Sequence, residues 1–406
     1  MRDMTTNKLH SYPTGMALAK RFYTEETVYQ HDVRWLRENT WWIVGHESQV
    51  PNIGDYFLYE FAQDSVIVIR DNEGEIRAHH NVCRHRGSRL CTHARGTLRT
   101  ITCPYHAWSY GLDGSLKGAS SAAADFDKGL YALNSCHLRV QCGLLFLSFA
   151  EYPPAFDSYI GFLTHELELQ GLQHSKVAKQ ARFSANANWK ILVQNNLECY
   201  HCRPAHPTFC AAHAGSALVA RPENADQTAY ERLRTVLRDA DSESRREFTP
   251  VYTGPDSAAL QILMRSIIGE NRSTESLDGK PVAPLMGQCT YDGVQTVALP
   301  NPLTSIYLNP DHVVIYTFLP RSVRRTDIDV MWLIKETAVE GVDFLLGEVA
   351  AVWEPTLQED KTLVENTQSG IDSTAYRPGP YMETEAFVRD FDSWYLTRIA
   401  SGSSHA

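Results

Sequence analysis

Between residues 83 and 106 the chain reads Cys83-Arg-His85, then 17 residues, then Cys103-Pro-Tyr-His106. No other feature limits the fold as much. Two short loops must each present one cysteine and one histidine, and the four side chains must meet. Gly87 and Pro104 suit the tight turns such loops need. The surrounding residues supply short strands to carry them. Trp42-Ile-Val, Tyr56-Phe-Leu-Tyr, Val66-Ile-Val-Ile and Leu144-Leu-Phe-Leu are β-branched and aromatic runs, separated by turns such as Asp71-Asn-Glu-Gly and Asp113-Gly. From Trp41 to about Phe149 the chain is expected to form a small antiparallel β domain.

The ligand types name a cofactor. Two thiolates on one iron and two imidazoles on the other make a Rieske [2Fe-2S] cluster, whose potential lies above that of an all-cysteine cluster. Cys83, His85, Cys103 and His106 are read as its ligands. A structural zinc site is the competing use of two Cys and two His, but zinc fingers pair Cys with Cys and His with His. His79, His80, Cys91 and His93 are read as packing or surface residues, because the four-ligand set is complete without them.

A second dense stretch runs from Asn188 to Pro207 and contains Glu198-Cys-Tyr-His201-Cys-Arg-Pro-Ala-His206. Glu198 and His201 are three apart and share a face if the helix continues. His206 lies off that face. Pro204 disfavours helical geometry at Arg203, so a bend there is expected to swing His206 back. Two histidines and a carboxylate on one face of a non-haem iron leave positions open for O2 and substrate. Spacing alone allows Glu198 as that carboxylate. Ordinary helix-end histidines, with Cys199 and Cys202 a chance pair, are the bland alternative. Further on, Thr356 and Glu359 are read as a capping box after Pro355. Asp360, Leu363, Val364 and Thr367 then fall at i, i+3, i+4 and i+7, on the inward face, with Glu359 and Glu365 pointing outward. An acid favouring the helix dipole is the rival reading of Asp360.

The rest of the 406 residues bounds the answer. The net charge of −10 argues against nucleic acid. No run of about 18 apolar residues exists, so no membrane span is expected. The first residues lack the apolar core of a secretory signal, and a cytoplasmic protein is expected. Nine cysteines, an odd number, fit a reducing compartment. Helix is expected over 17–40, 157–174, 186–203 and 341–370, helices and loops over 215–285, and strands over 286–337. The fold class is α+β: an all-β [2Fe-2S] domain inserted in a larger catalytic domain with a central antiparallel sheet flanked by helices. The expected parts are 1–44, a helical segment packing on the catalytic domain; 45–155, the cluster domain; and 156–406, the catalytic domain. No Gly-x-Gly-x-x-Gly and no second ferredoxin-like cysteine set is present, so the chain needs a separate NAD(P)H-dependent reductase.

Taken together, the two stretches resemble the large (alpha) subunit of Rieske non-haem iron oxygenases over essentially the whole chain. The resemblance implies that Glu198 is not a ligand. It would join the iron site to His106 of a neighbouring subunit in a head-to-tail homotrimer. It implies iron ligands His201, His206 and Asp360, the last from a late helix. It implies an O2-dependent monooxygenase fed by an NAD(P)H-dependent flavin or ferredoxin reductase. The Glu198–Pro207 stretch and Asn366-Thr-Gln-Ser-Gly-Ile-Asp are similar to the choline, carnitine and glycine-betaine monooxygenase branch. That branch hydroxylates carbon beside a quaternary nitrogen, leading to N-demethylation. Hydroxylation of an aromatic acid, or of an unactivated aliphatic carbon in a natural-product intermediate, is the alternative. A cluster-only electron carrier is the reading from a different class. Metal analysis separates these: three irons and two acid-labile sulfides per chain are expected of the oxygenase, and two irons of a carrier.

Overall fold

The structure, a computed structural model, describes residues 15–213, 251–269 and 271–400. The chain divides into two compact units, one of residues 36–156 and the other of 1–35 with 157–406. Two helices come first, α1 (Arg21–Thr24) and α2 (Glu26–Asn39).

The unit of residues 36–156 is built from β1 (Trp42–His46), β2 (Asp55–Phe61), β3 (Asp64–Arg70), β4 (Ile76–His80), β5 (Arg95–Thr97), β6 (Ile101–Thr102), β7 (Ser109–Tyr110), β8 (Leu116–Gly118), β9 (His137–Gln141) and β10 (Leu144–Ser148). They form three antiparallel sheets, ordered β1-β10-β9, β4-β3-β2-β5 and β6-β7-β8. Val66, Ile67, Val68 and Ile69 are all fully buried, so the apolar run of β3 is covered on both faces. One apolar cluster contains Ile67, Ile69, Ile101, Trp108 and Tyr110 together with Cys83 and Cys103. The loop after β4 and the loop joining β6 to β7 therefore root their cysteines in the core.

In the other unit a seven-stranded antiparallel sheet has the order β11-β17-β16-β15-β14-β13-β12. Its strands are β11 (Ser175–Ala185), β12 (Val251–Tyr252), β13 (Ile262–Ile267), β14 (Val294–Asn301), β15 (Thr304–Leu308), β16 (His312–Ser322) and β17 (Arg325–Lys335). The run Val313-Val-Ile-Tyr-Thr-Phe-Leu in β16 is buried at every residue, as a central strand covered on both faces must be. β12 and β13 correct the expectation of helix and loop there. Ile262-Leu-Met has the strand pattern, but polar neighbours mask it. Residues 214–250, expected as helices and loops, lie outside the described residues.

The helices of this unit are α3 (Phe156–Gln170), α4 (Trp189–Asn196), α5 (Cys202–Ala205), α6 (Pro207–Ala212), α7 (Leu346–Val349), α8 (Trp353–Asp372) and α9 (Ala386–Trp394). The single helix expected over 186–203 stops at Asn196. The one expected over 341–370 is two helices. α8 begins two residues before Pro355, which sits in the first turn where its missing N–H costs nothing. Thr356 does not cap it: Thr356 Oγ1 donates 2.7 Å to the Val352 carbonyl one turn back. α4 packs on α8 and β16.

α4 starts at Asn188, whose side chain accepts from the Lys190 N–H at 3.1 Å. Lys190 is fully buried and ion-paired with Asp32 of α2, also fully buried. Tyr395 Oη donates to Asp32 at 2.9 Å and Trp189 Nε1 at 3.3 Å. The carboxylate is thus satisfied by three donors, and α4 is fixed to α2. Asp32→Ala strands a buried cation, so the urea-unfolding free energy is expected to fall by about 3–5 kcal/mol. A loss below about 0.5 kcal/mol would contradict this role.

Candidate functional site

The two cysteine–histidine loops repeat one backbone pattern. In the first, Gly87 N–H donates to the Cys83 carbonyl (3.0 Å) and Cys83 N–H to the Ser88 carbonyl (2.8 Å). In the second, Ala107 N–H donates to the Cys103 carbonyl (3.1 Å) and Cys103 N–H to the Trp108 carbonyl (2.8 Å). Both closing residues are left-handed, Gly87 at φ +73° and Ala107 at φ +55°. Glycine announces the first turn in the sequence. Alanine hides the second, where it bears about 1–2 kcal/mol of strain.

Cys83 and Cys103 are buried, and the rings of His85 and His106 stand 4.8 Å apart at 70°. His85 stacks on Trp108. Tyr110 Oη lies 3.3 Å from Cys83 Sγ and accepts from Arg84 N–H at 3.0 Å. Burial raises the Cys103 thiol, but the N–H groups of Tyr105 and His106, with Cys83 and Ser88, outweigh it and the net shift is downward. His106 Nδ1 is shut from water with no hydrogen-bond partner. A thiol biased toward thiolate and an orphaned imidazole nitrogen are the donor set a Rieske cluster takes. His79 is otherwise engaged, by Ser135 Oγ at 2.9 Å and the Leu112 carbonyl at 3.0 Å.

In the other unit the structure brings His201, His206 and Asp360 together, with one ligand atom of each inside a 4.8 Å span. Asp360 Oδ1 lies 3.0 Å from His206 Nε2 and 3.3 Å from His201 Nε2. Ligands at right angles on a metal about 2.1 Å away stand about 3.0 Å apart, so this donor set fits a facial triad. Burial raises the Asp360 carboxyl, yet the two histidines hold it below its ordinary value. Burial lowers His201, but hydrogen bonds to Asp360 and Glu198 take it up to about 9.

Glu198 does not share a helix face with His201. It sits in the loop after α4, where Oε2 accepts from the backbone N–H groups of Tyr200 and His201. Oε1 accepts from His201 Nδ1 at 2.5 Å. The break that turns His206 inward lies at His206 itself (φ −120°, ψ 75°), not at Arg203. Pro204 fits inside the single turn of α5, and Pro207 forces its predecessor out of helical geometry. Cys199 and Cys202 are joined by a disulfide, so the pair is no coincidence of spacing.

Glu359 corrects the outward assignment: its Oε2 accepts from His206 Nδ1 at 2.9 Å. Helix periodicity points Asp360 inward and its neighbour sideways, which is where His206 presents its far nitrogen. Each histidine therefore hands Nδ1–H to a carboxylate and turns Nε2 toward Asp360, where a metal could bind. Asn195 Nδ2 also lies 3.2 Å from His201 Nε2. Glu365, expected outward, accepts from Asn186 N–H at 2.8 Å on the exterior.

The triad opens on a cavity of about 1090 Å³. Met264, Val297, Leu299 and Ile328 give it an aliphatic wall, and Asn195, Ser266 and Gln295 give it polar points. Tyr307, Tyr316 and Trp353 line it as well, with ring centroids 4.4 Å (Tyr307–Trp353), 5.5 Å (Tyr316–Trp353) and 5.6 Å (Tyr307–Tyr316) apart. Sequence could not select these three rings, because strand register and the start of α8 decide which aromatics meet.

Comparison with known proteins places these sites in a family. The ring hydroxylating alpha subunit (catalytic domain) family matches residues 172–401, and the Rieske [2Fe-2S] domain family matches 40–135. The glycine betaine monooxygenase oxygenase subunit of Pseudomonas aeruginosa is 33% identical over 98% of this chain and 92% of that protein. The carnitine monooxygenase oxygenase subunit of Escherichia coli is 35% identical over 47% of this chain and 52% of its own length. Among solved structures, the quaternary ammonium Rieske monooxygenase CntA bound to L-carnitine aligns with TM-score 0.71, 20% identity, 98% of this chain and 100% of that one. Naphthalene 1,2-dioxygenase from a Rhodococcus species aligns at 0.70 with 18% identity, covering 98% and 97%. Both are likenesses of fold.

Glu359→Ala removes the carboxylate that fixes the His206 tautomer. Metal affinity of the triad is expected to fall about 10- to 100-fold, with cluster absorbance unchanged. Chelator titration followed by iron analysis measures it, and wild-type retention would contradict the assignment.

Proposed function

The chain belongs to the ring-hydroxylating oxygenase alpha subunits with a Rieske domain, and from that premise we propose that it hydroxylates carbon beside a quaternary nitrogen. The observation that carries this is the aromatic wall sharing one cavity with Asp360. Faces of Trp and Tyr attract an ammonium group, worth about 0.5–2 kcal/mol per contact. Trp353 and Asp360 are seven residues apart on α8, which is about 10.5 Å along the axis. The rings and the triad thus lie two turns apart along one cavity, within which a small ammonium compound can sit. The relatives that act on glycine betaine and carnitine support the same class.

In this reading Cys83, His85, Cys103 and His106 hold the cluster, and His201, His206 and Asp360 hold the iron. Bound there, the two centres supply single electrons and O2 activation. The chain's own residues do the rest. Glu198 and Glu359 hold the Nδ1 protons of His201 and His206 and so fix both rings. The aliphatic wall keeps water from the reacting carbon. Two electrons and two protons balance one O2: one oxygen enters the C–H bond and the other leaves as water. A hydroxylated N-methyl group then breaks to formaldehyde and a tertiary amine.

Electrons arrive from a separate NAD(P)H-dependent reductase. Glu198 is read as the carboxylate that meets His106 of the next subunit in a head-to-tail homotrimer. Inter-subunit electron transfer is described for CntA. Among the described residues, no helix is long and apolar enough to cross a membrane.

O2 uptake with a purified reductase tests the proposal. Glycine betaine or carnitine is expected to drive uptake matched by formaldehyde or hydroxylated product. Coupled uptake with an aromatic carboxylate or a lipophilic acid, and none with a quaternary amine, overturns the substrate class. Glu198→Gln is expected to keep both metal sites loaded and lose most turnover, and wild-type turnover would remove Glu198 from the electron path.

A further inference from the structure

Behind the aromatic wall lies a cluster of buried charged groups outside the metal site. Its centre is Glu275, on the connection between β13 and β14, with a fully buried side chain. Glu275 Oε2 accepts from Trp353 Nε1 at 2.7 Å and from Asn309 Nδ2 at 3.2 Å. Oε1 stands 3.1 Å from His213 Nε2, at ion-pair distance but without hydrogen-bond alignment. The His213 ring stacks on Phe209 at 4.0 Å, and Phe209 meets Trp353 edge to face. Asn309 is itself held: its Oδ1 accepts from Gln295 Nε2 at 3.0 Å, and Gln295 lines the cavity.

A carboxylate with no access to water is costly to keep ionised unless its surroundings compensate. Burial raises Glu275, but His213, His312 and the Trp353 indole outweigh burial, and the net shift is downward. An anion on the indole N–H has two effects. It locks the ring's orientation, and it sets a negative charge at the N–H edge of a ring whose faces are already electron-rich. In a low-dielectric interior both effects strengthen the attraction of that face for a cation. The charge does not act on a neutral group of the same shape.

We propose that Glu275 is a positioning residue that sets specificity: acting through Trp353, its carboxylate makes the cavity wall select a quaternary ammonium group over its neutral isostere. This rests on the substrate class proposed above and adds the residue that enforces it. A purely structural Glu275, pinning the β13–β14 connection, would weaken every ligand alike.

The test compares two probes on the full-length holoprotein by calorimetry. One is choline. The other is its neutral isostere, with a quaternary carbon in place of the nitrogen. Wild type is expected to prefer choline by about tenfold or more. Glu275→Gln keeps the shape and one acceptor oxygen but loses the charge. It is expected to cut the preference about five- to tenfold while the isostere's affinity stays within about twofold. Trp353→Phe, which loses the N–H, is expected to cut the preference at least as far, and adding Glu275→Gln to it should change nothing more. An unchanged preference in Glu275→Gln, equal weakening of both probes, or additive effects in the double variant overturns the proposal. If Glu275→Gln yields no folded holoprotein, Trp353→Phe decides alone: a wild-type preference there overturns the link. No preference in wild type overturns the substrate class itself, whereas a preference that survives Glu275→Gln overturns only the role of Glu275.

Discussion

A single carboxylate oxygen organises the catalytic unit. Asp360 Oδ1 faces His206 Nε2 and His201 Nε2 at once, and it can do so because each histidine is held from behind by another carboxylate. Glu198 holds His201 from the loop after α4, and Glu359 holds His206 from Asp360's own helix. Three acids around two histidines would repel one another in a buried site. These acids bias both histidines toward the protonated form, and a divalent metal supplies the same positive charge. The site is thus built to lose protons and take a cation.

That arrangement needs α4 and α8 to stay in register with each other. Two buried polar clusters serve this. Lys190 and Asp32 fix α4 to α2. Glu275 fixes the first residue of α8, Trp353, to the β13–β14 connection and the end of β15. Both clusters spend burial energy on orientation. The second also touches the cavity, which is why it bears on ligand choice and not only on stability. In the cluster unit the equivalent constraint is simpler. Two matching backbone turns, one closed by Gly87 and one by Ala107, hold Cys83 and Cys103 against one apolar core.

Sequence by itself pointed to the chemistry at both places, more sharply at the first. Cys83, His85, Cys103 and His106 carry their spacing openly, because ligands on short loops are close in sequence. The antiparallel β texture of 41–149 and the long runs of β16 and β17 were legible for the same reason: strand patterns are local. His201 and His206 stand out by ligand type and Asp360 by the 3.6-residue period of α8, but spacing allowed Glu198 as well, and it was the family resemblance that chose between the two acids.

Only tertiary structure decided what those ligands lean on. Glu359 looks solvent-facing on a helical wheel, yet His206 arrives from another helix to meet it. Pro204 looks like the breaker, but the turn belongs to Pro207, since a four-residue helix tolerates proline in its first turn. Tyr307, Tyr316 and Trp353 come from two strands and a helix start, and Glu275 reaches Trp353 across 78 residues. Contacts of that range depend on sheet register and on the angle at which α8 crosses the sheet. No local pattern encodes either, so the candidate ligands could be read from the chain and the aromatic wall of the cavity could not.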